Sequence, residues 1–435
     1  MKTISKLAFP LSIAISANLT MDLIDIAMVG RLGHRDIAAV GLGAFSKTLA
    51  FALVGGIAAA VQGIVARRRG EGSTAAKCLP LNGGLLLALL MGVPLAIICY
   101  IFTPQFFSLI SKDPEVIKVG VPFLRTLYLA FPAFGMHMAF KGYWNGIERQ
   151  KLYMWIVLFM NCMNVAVNYA FIFGNFGAPA LGATGAAVGT VSALYAGVLI
   201  NFVIVSLRYR KDGFLSARPD APLLARIFKM AMPANMQEFF FSAGYIVFFG
   251  MVGRIGTTEL AVISIQVRVS IMLLIVAASL GMASATLVSR TLGEGDPAGA
   301  AQWGWDAGKL GVITNFILGL PLVFFPRAVL SIFLHDPHAI DIAIVPFQLL
   351  GGTAAFGSLI WIFAYTLYSV GDGNRVMVAS FCTQWLLFLP AVWVVGPHLH
   401  YGLLQISLVQ VAYGLISTIL ITAIWADGRW KTIRI

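Results

Sequence analysis

Twelve apolar runs, each long enough to cross a lipid bilayer as an α-helix, follow one another along this chain with short polar breaks between them. A hydrocarbon core of about 30 Å takes about 20 helical residues, and inside it every backbone N–H and C=O must find a partner within its own segment. The runs fall at 7–30, 37–66, 80–103, 118–140, 152–174, 180–207, 223–252, 260–289, 306–325, 341–368, 376–396 and 402–426. They predict an all-α polytopic membrane protein with twelve transmembrane helices. Composition agrees, with 59% apolar residues, 11% charged residues and a mean hydropathy of +0.87. A soluble domain carries about a quarter charged residues, so a water-soluble enzyme is excluded. The first run lies too near Met1, and precedes too many others, to read as a cleaved signal peptide.

Thirty basic residues against eighteen acidic ones give a net charge of +12. Such an excess suits either a nucleic-acid partner or a membrane protein that gathers Lys and Arg on its cytoplasmic side, and position decides between them. The termini and even-numbered loops hold twenty-one of the thirty, among them Arg67, Arg68, Arg69, Lys77, Arg208, Arg210, Lys211 and Arg434. The odd loops hold six, and Lys47, Arg125 and Arg268 fall inside spans. The bias places both termini in the cytoplasm and leaves no case for nucleic acid. Cys78, Cys99, Cys162 and Cys382 are scattered through apolar sequence without metal-ligand spacing and read as buried hydrophobes. No metal and no cofactor is expected.

Compared with itself at a shift near 223, the chain repeats its landmarks in order. Pro10 meets Pro233, and Met28-Val29-Gly30-Arg31-Leu32-Gly33 returns as Met251-Val252-Gly253-Arg254-Ile255-Gly256. Arg67 with Gly70-Glu71-Gly72 recurs as Arg290 with Gly293-Glu294-Gly295, and Asp113-Pro114 as Asp336-Pro337. Six spans per half is an even number, so the repeats enter from the same side and are parallel, an arrangement of secondary transporters. The expected organisation is a six-helix bundle over 1–207, a cytoplasmic linker over 208–222 and a second bundle over 223–435. The Gly/Ala-rich run from Gly182 to Gly197 reads as a helix-packing face. No Walker A string occurs, so ATP is not the evident energy source.

Departures from the symmetry point to chemistry. Fifteen of the eighteen acids lie in loops or near span ends; Asp22, Asp25 and Glu238 do not. A carboxyl at membrane depth is costly and marks a functional candidate. Asp22 faces Tyr245 at the shift and Asp25 faces Phe248, so the pair belongs to the first half alone. A spacing of three puts them about 60° apart on the helix wheel, able to line one cavity. In the fifth span Asn164 and Asn168, four apart, share a face and meet apolar Leu387 and Ala391 in the other half, whereas Asn161 meets Gln384. An amide pair can hydrogen-bond a carboxyl in either protonation state. Joining two helices is the plainer role for such amides. Glu238 pairs with Arg268 in a structural ion pair or binds substrate. Arg125, His137 and Lys47 snorkel or satisfy local carbonyls.

These residues resemble the multidrug and toxic compound extrusion (MATE) family, in its DinF-like branch. The resemblance covers nearly the whole chain and rests on an ordered set of strings. They are Asp25-Ile26-Ala27-Met28-Val29-Gly30-Arg31-Leu32-Gly33, then Asp36-Ile37-Ala38-Ala39, the Arg67-x-x-Gly70 and Arg290-x-x-Gly293 endings, and Gly371-Asp372-Gly373-Asn374-Arg375. It implies two bundles in a V and export of organic, often cationic or amphipathic drug-like compounds, driven by inward H⁺ or Na⁺. It also implies that Asp25 matches the proton-linked acid of DinF-like members. Their fifth-span pattern, an Asn followed four residues later by an Asp, is met by Asn164, while Asn168 replaces the acid with an amide and loads the proton role onto Asp25. Sodium-linked NorM-like members carry acids in the seventh and tenth spans. Here Glu238 sits about a turn early and the tenth span holds only Asp341 at its edge, so proton coupling is the expectation.

The expected protein is therefore an H⁺-coupled multidrug antiporter of the bacterial inner membrane, working as a monomer in the bilayer. Its proton-coupling residues are Asp25, Asn164, Asn168 and Asp22, with Glu238 and Arg268 as a substrate or cation site. A Na⁺-coupled drug antiporter and a flippase for lipid-linked saccharides are the alternatives within the superfamily. A channel or membrane-embedded enzyme is the alternative outside it, and no nucleophile and base face each other in the sequence.

Overall fold

The computed structural model describes residues 1–72, 78–334, 336–433 and 435; Lys77, Arg434 and the side chain of Lys211 lie outside what is described. The chain enters through α1 (Lys2–Val29), α2 (His34–Gly55), α3 (Ile57–Gly70) and α4 (Leu79–Ile110). It continues through α5 (Pro114–Tyr128), α6 (Phe131–Gly146), α7 (Gln150–Phe173) and α8 (Ala183–Arg208). The second half holds α9 (Ala221–Val252), α10 (Thr257–Gly293), α11 (Pro297–Phe324), α12 (Pro326–Leu330) and α13 (Pro337–Val370). Then come α14 (Gly373–Phe381), α15 (Leu389–Trp393) and α16 (Leu403–Ala426), with π-helical turns at Cys382–Phe388 and Val394–His398 on either side of α15.

Among the described residues, ten helices are long and apolar enough to cross a membrane, counting α2 with α3 and the stretch from α14 to His398 as one each. The bent pair of α5 and α6 makes eleven. The seventh expected span is α9, which at 32 residues has the length, while Asn235, Gln237 and Glu238 lower its hydropathy. The fold is thus an all-helical polytopic one. Two spans are not the straight rods expected of them. The second breaks at Gly56, and the fourth bends by 45° where α5 gives way to α6 with Pro132 in its first turn. A proline there removes a donor and disfavours helix in the residue before it.

The repeated strings prove to be helix-end devices. Asp113 and Asp336 cap α5 and α13, accepting from Glu115 N at 2.9 Å and His338 N at 3.1 Å, each with proline at the first helical position. That pairing satisfies an orphan donor where proline costs nothing. Gly72 and Gly295 follow α3 and α10 at φ +69° and +81°, a region that glycine enters without a Cβ penalty. Ahead of them Arg67 pairs with Glu71 and Arg290 with Glu294.

The helices form two compact units, Ile13–Asn235 on the one hand and Met1–Ser12 with Met236–Ile435 on the other. In the first, Ile57, Val61, Phe131, Phe140 and Trp144 are fully buried. Residues 208–222 do not hang free on it: Asn82 Nδ2 donates to the carbonyls of Gly213 and Ala217, each at 2.9 Å, and Leu215 N donates to Asn82 Oδ1 at 3.2 Å. In the second, the core gathers around Phe248, Val262, Phe347, Phe388 and Ile406. Only one cysteine meets the expectation of burial. Cys78 lies buried against the Tyr143 hydroxyl, and burial pushes its thiol up to about 11. Cys99 and Cys382 are half-buried and Cys162 is exposed. A helix in lipid has no solvent to drive every apolar side chain inward.

Candidate functional site

Asp25 lies in the last turns of α1, half-buried. On α7 the spacing of four puts Asn164 and Asn168 one above the other, and both are buried, Asn168 completely. Asn168 Nδ2 donates to Asp25 Oδ1 at 2.6 Å and to Asn164 Oδ1 at 2.9 Å, so both of its protons are used. The Asn164 amide fits its surroundings in two orientations. In one it accepts from Asn168 and donates to Thr190 Oγ1 at 3.4 Å. In the other its Nδ2 donates to Asp25 Oδ1 at 3.1 Å and its oxygen accepts from Thr190 N at 3.0 Å. The acid and both amides expected from the sequence are therefore one hydrogen-bonded cluster.

Its shape depends on α8. A Cβ on Gly189 would lie 1.8 Å from Asn168 Oδ1, so this position must be glycine if Asn168 is to turn toward Asp25. Elsewhere in the same run, Gly185 lies against the Phe171 backbone and Gly197 against Met160. The packing role read from the sequence holds, and Gly189 adds a role in the site. Thr190, the next residue, is a partner that the sequence reading did not reach; its register mate at the 223 shift, Tyr413, is one more departure from symmetry that would have flagged it.

Asp22 stands about one turn from Asp25 and is exposed, with Lys47 of α2 3.6 Å away in an ion pair. Both are near enough to act on the Asp25 charge. Lys47 thus corrects the expectation that it merely snorkels: a cation facing two acids at this depth lowers the cost of all three. Arg125 does satisfy a local carbonyl, its Nε donating to Tyr100 O at 3.2 Å with the guanidinium over the Tyr100 ring. His137 meets a hydroxyl instead, its Nε2 lying 3.3 Å from Tyr153 Oη.

In the other unit Glu238 lies exposed on α9, close enough to bear electrostatically on Tyr365 and Tyr368 of α13. Arg268 is exposed on α10. The string Gly371–Arg375 closes a helix junction: Arg375 binds Asp372 at 3.1 Å and grips Asp427 with both terminal nitrogens. Burial pushes the Asp372 carboxyl above its usual range, with Arg375 opposing, while the Arg375 hydrogen bond holds Asp427 below it.

The pattern of the MatE family matches residues 10–170 and again 233–394, starting at Pro10 and at Pro233, in the register of the internal repeat. Multidrug resistance protein NorM of Photobacterium profundum is 27% identical over 405 residues, which is 90% of this chain and 86% of that protein. Multidrug resistance protein MdtK of Yersinia pseudotuberculosis is 24% identical over 407 residues, 91% of this chain and 87% of that one. A solved structure described as the outward-facing conformation of a multidrug resistance MATE family transporter of the MOP superfamily superposes with a TM-score of 0.88 and 17% identity. It covers 98% of this chain and 96% of its own. A MOP superfamily transporter from Pyrococcus furiosus gives the same score and identity over 98% and 95%. At such identity these likenesses show the fold, which is that of MATE transporters.

Proposed function

We propose a function from one premise: this chain belongs to the MatE family, whose pattern covers most of each of its halves. It is a multi-pass membrane transporter and not an enzyme. In our reading it exports organic cationic or amphipathic compounds from a bacterial cell across the inner membrane, driven by H⁺ that binds Asp25. The observation that carries the reading is the 2.6 Å hydrogen bond from fully buried Asn168 to the Asp25 carboxylate. The charged acid takes donors from Asn168 and, with its amide turned, from Asn164. A protonated Asp25 has a proton to give, and the same Asn164 position presents its carbonyl oxygen on a half-turn. Asp25 thus has a hydrogen-bond partner in either protonation state. Neutralising Asp25 removes the charge that holds a cationic substrate and alters the packing of α1. A membrane potential contributes about 2.3 kcal/mol per charge per 100 mV, enough for a single proton to drive appreciable export.

We place the chain in the DinF-like branch on its first-span acid, although the relatives compared above carry NorM and MdtK names. Sodium coupling would call for an acid deep in the tenth span. Asp341, the acid of that span, is exposed and ion-paired with Arg327. A flippase for lipid-linked saccharides would call for several free cations at depth, whereas of the three basic residues inside spans Arg125 is committed to Tyr100 and Lys47 to Asp22, which leaves Arg268 alone. The division into repeats 1–207 and 223–435 joined by 208–222 belongs to the same proposal.

The test is ethidium transport by purified protein in liposomes under an imposed pH gradient, with and without Na⁺. Transport that follows the pH gradient, and falls to the level of empty liposomes in Asp25→Asn, is the expected result. An amide copies the shape of the protonated acid but releases no proton. Transport that tracks Na⁺ and ignores pH would overturn the coupling and move attention to Glu238.

A further inference from the structure

The unit containing Met236–Ile435 holds a half-open cavity of about 210 Å³ that the coupling cluster does not use. Its walls come from α9, α10, α11, α13, α16 and the π-helical turn before α15, a kind of turn that concentrates at functional sites. Five aromatic residues line it, Tyr245, Phe356, Trp361, Phe388 and Tyr413, with the rings of Phe388 and Tyr413 stacked at a centroid distance of 4.7 Å. In the internal repeat Tyr245, Phe388 and Tyr413 stand where the first half has Asp22, Val165 and Thr190. The duplication has an acidic cluster in one copy and an aromatic chamber in the other.

The lining of the chamber carries donors on Tyr245, Trp361 and Tyr413 beside a set of acceptors. Among the described residues, none of those lining it is Asp, Glu, Lys, Arg or His. Ser270, Thr353, Ser407 and Thr418 each donate their hydroxyl proton to a carbonyl of their own helix, at 2.7 to 2.9 Å. Their oxygens are left with lone pairs only. Gln266, 6% exposed, and Gln410 also line the chamber, and the Oε1 of each is buried without a hydrogen-bond partner among the described residues. Buried acceptors left unpaired cost free energy that a donor recovers. A cation would supply donors and meet ring faces, but with no carboxylate in the walls that attraction offsets only part of its desolvation. The volume lies below the roughly 300–1,000 Å³ of drug-sized pockets, which suits one or two rings.

We propose that this chamber binds uncharged aromatic compounds of one or two rings through their N–H or O–H donors. The proposal does not rest on proton coupling, and its test reads binding alone. Benzamide, N,N-dimethylbenzamide and benzamidinium share a ring and nearly a shape, but the second lacks donors and the third is a cation. Each is titrated by ligand-observed NMR against the purified full chain in lipid nanodiscs, with empty nanodiscs subtracted for partitioning into lipid. Saturable benzamide binding is expected, at least tenfold tighter than that of either analogue, and Gln266→Leu should weaken it tenfold or more while the protein keeps its melting temperature. Non-saturable benzamide uptake, or benzamidinium binding as tightly as benzamide, would overturn the proposal on the unaltered protein, whatever becomes of the variant. Unchanged benzamide affinity in a folded Gln266→Leu protein would overturn it as well.

Discussion

Asn168 is the residue on which the cluster turns, because its amide gives one proton to Asp25 and the other to Asn164. A hydrogen bond to a charged group contributes about 1.5–3 kcal/mol. Asn168→Ala should therefore slow coupled export by about ten- to hundredfold, at 1.4 kcal/mol per factor of ten. Gly189→Ala should do nearly the same without touching a polar group, since the new methyl occupies the place of Asn168 Oδ1 and swings the amide away. If both act through one contact, the double variant is no worse than the worse single one. Additive losses in a transport assay on protein of normal melting temperature would show that Gly189 acts elsewhere. Asp22→Asn should be milder than either, because Asp22 is exposed and its partner is Lys47. The acid and the amides were legible in the sequence because they break the internal symmetry. Gly189 was not, since a glycine in a glycine-rich run looks like its neighbours until the side chain opposite it is known. Lys47 was read alone for a similar reason: a helix wheel orders residues within one span and says nothing of which neighbouring span faces them.

At the scale of elements, twelve apolar runs foretold the spans, and the repeated Asp-Pro and Gly-Glu-Gly strings foretold shared architecture without telling that they are helix ends. The breaks were harder to see. The second span reads as continuous apolar sequence, yet it divides at Gly56, whose N–H donates to Asn235 Oδ1 at 2.6 Å. The reason lies in α9: a Cβ at residue 56 would come within 2.4 Å of the Ala231 carbonyl oxygen, a backbone atom that cannot swing aside. Gly56→Ala should accordingly destabilise by about 1–3 kcal/mol through overpacking. Asn235→Leu, which leaves the Gly56 N–H unpaired, should cost about the same by a different route. Thermal unfolding followed by size-exclusion chromatography compares the two. A Gly56→Ala protein as stable as the original would mean that α9 yields at Ala231.

For the whole molecule, the uneven division of Lys and Arg argues that both termini and residues 208–222 face the cytoplasm. Cysteines introduced at Ser216 or at the termini should resist an impermeant maleimide in intact cells and react once the cells are opened. Labelling of Ser216→Cys from outside would refute that orientation. The two compact units are also unequal in how the chain supplies them. Ile13–Asn235 is one uninterrupted stretch, with the segment clasped by Asn82 included, whereas the other unit needs Met1–Ser12 as well as everything after Asn235. Domains fold as units, the N-terminal one first as the ribosome advances. The uninterrupted unit has all its parts once Asn235 has been inserted. Its companion must wait for the residues after Asn235 to rejoin Met1–Ser12, so removing Met1–Ser12 injures a part that is made later.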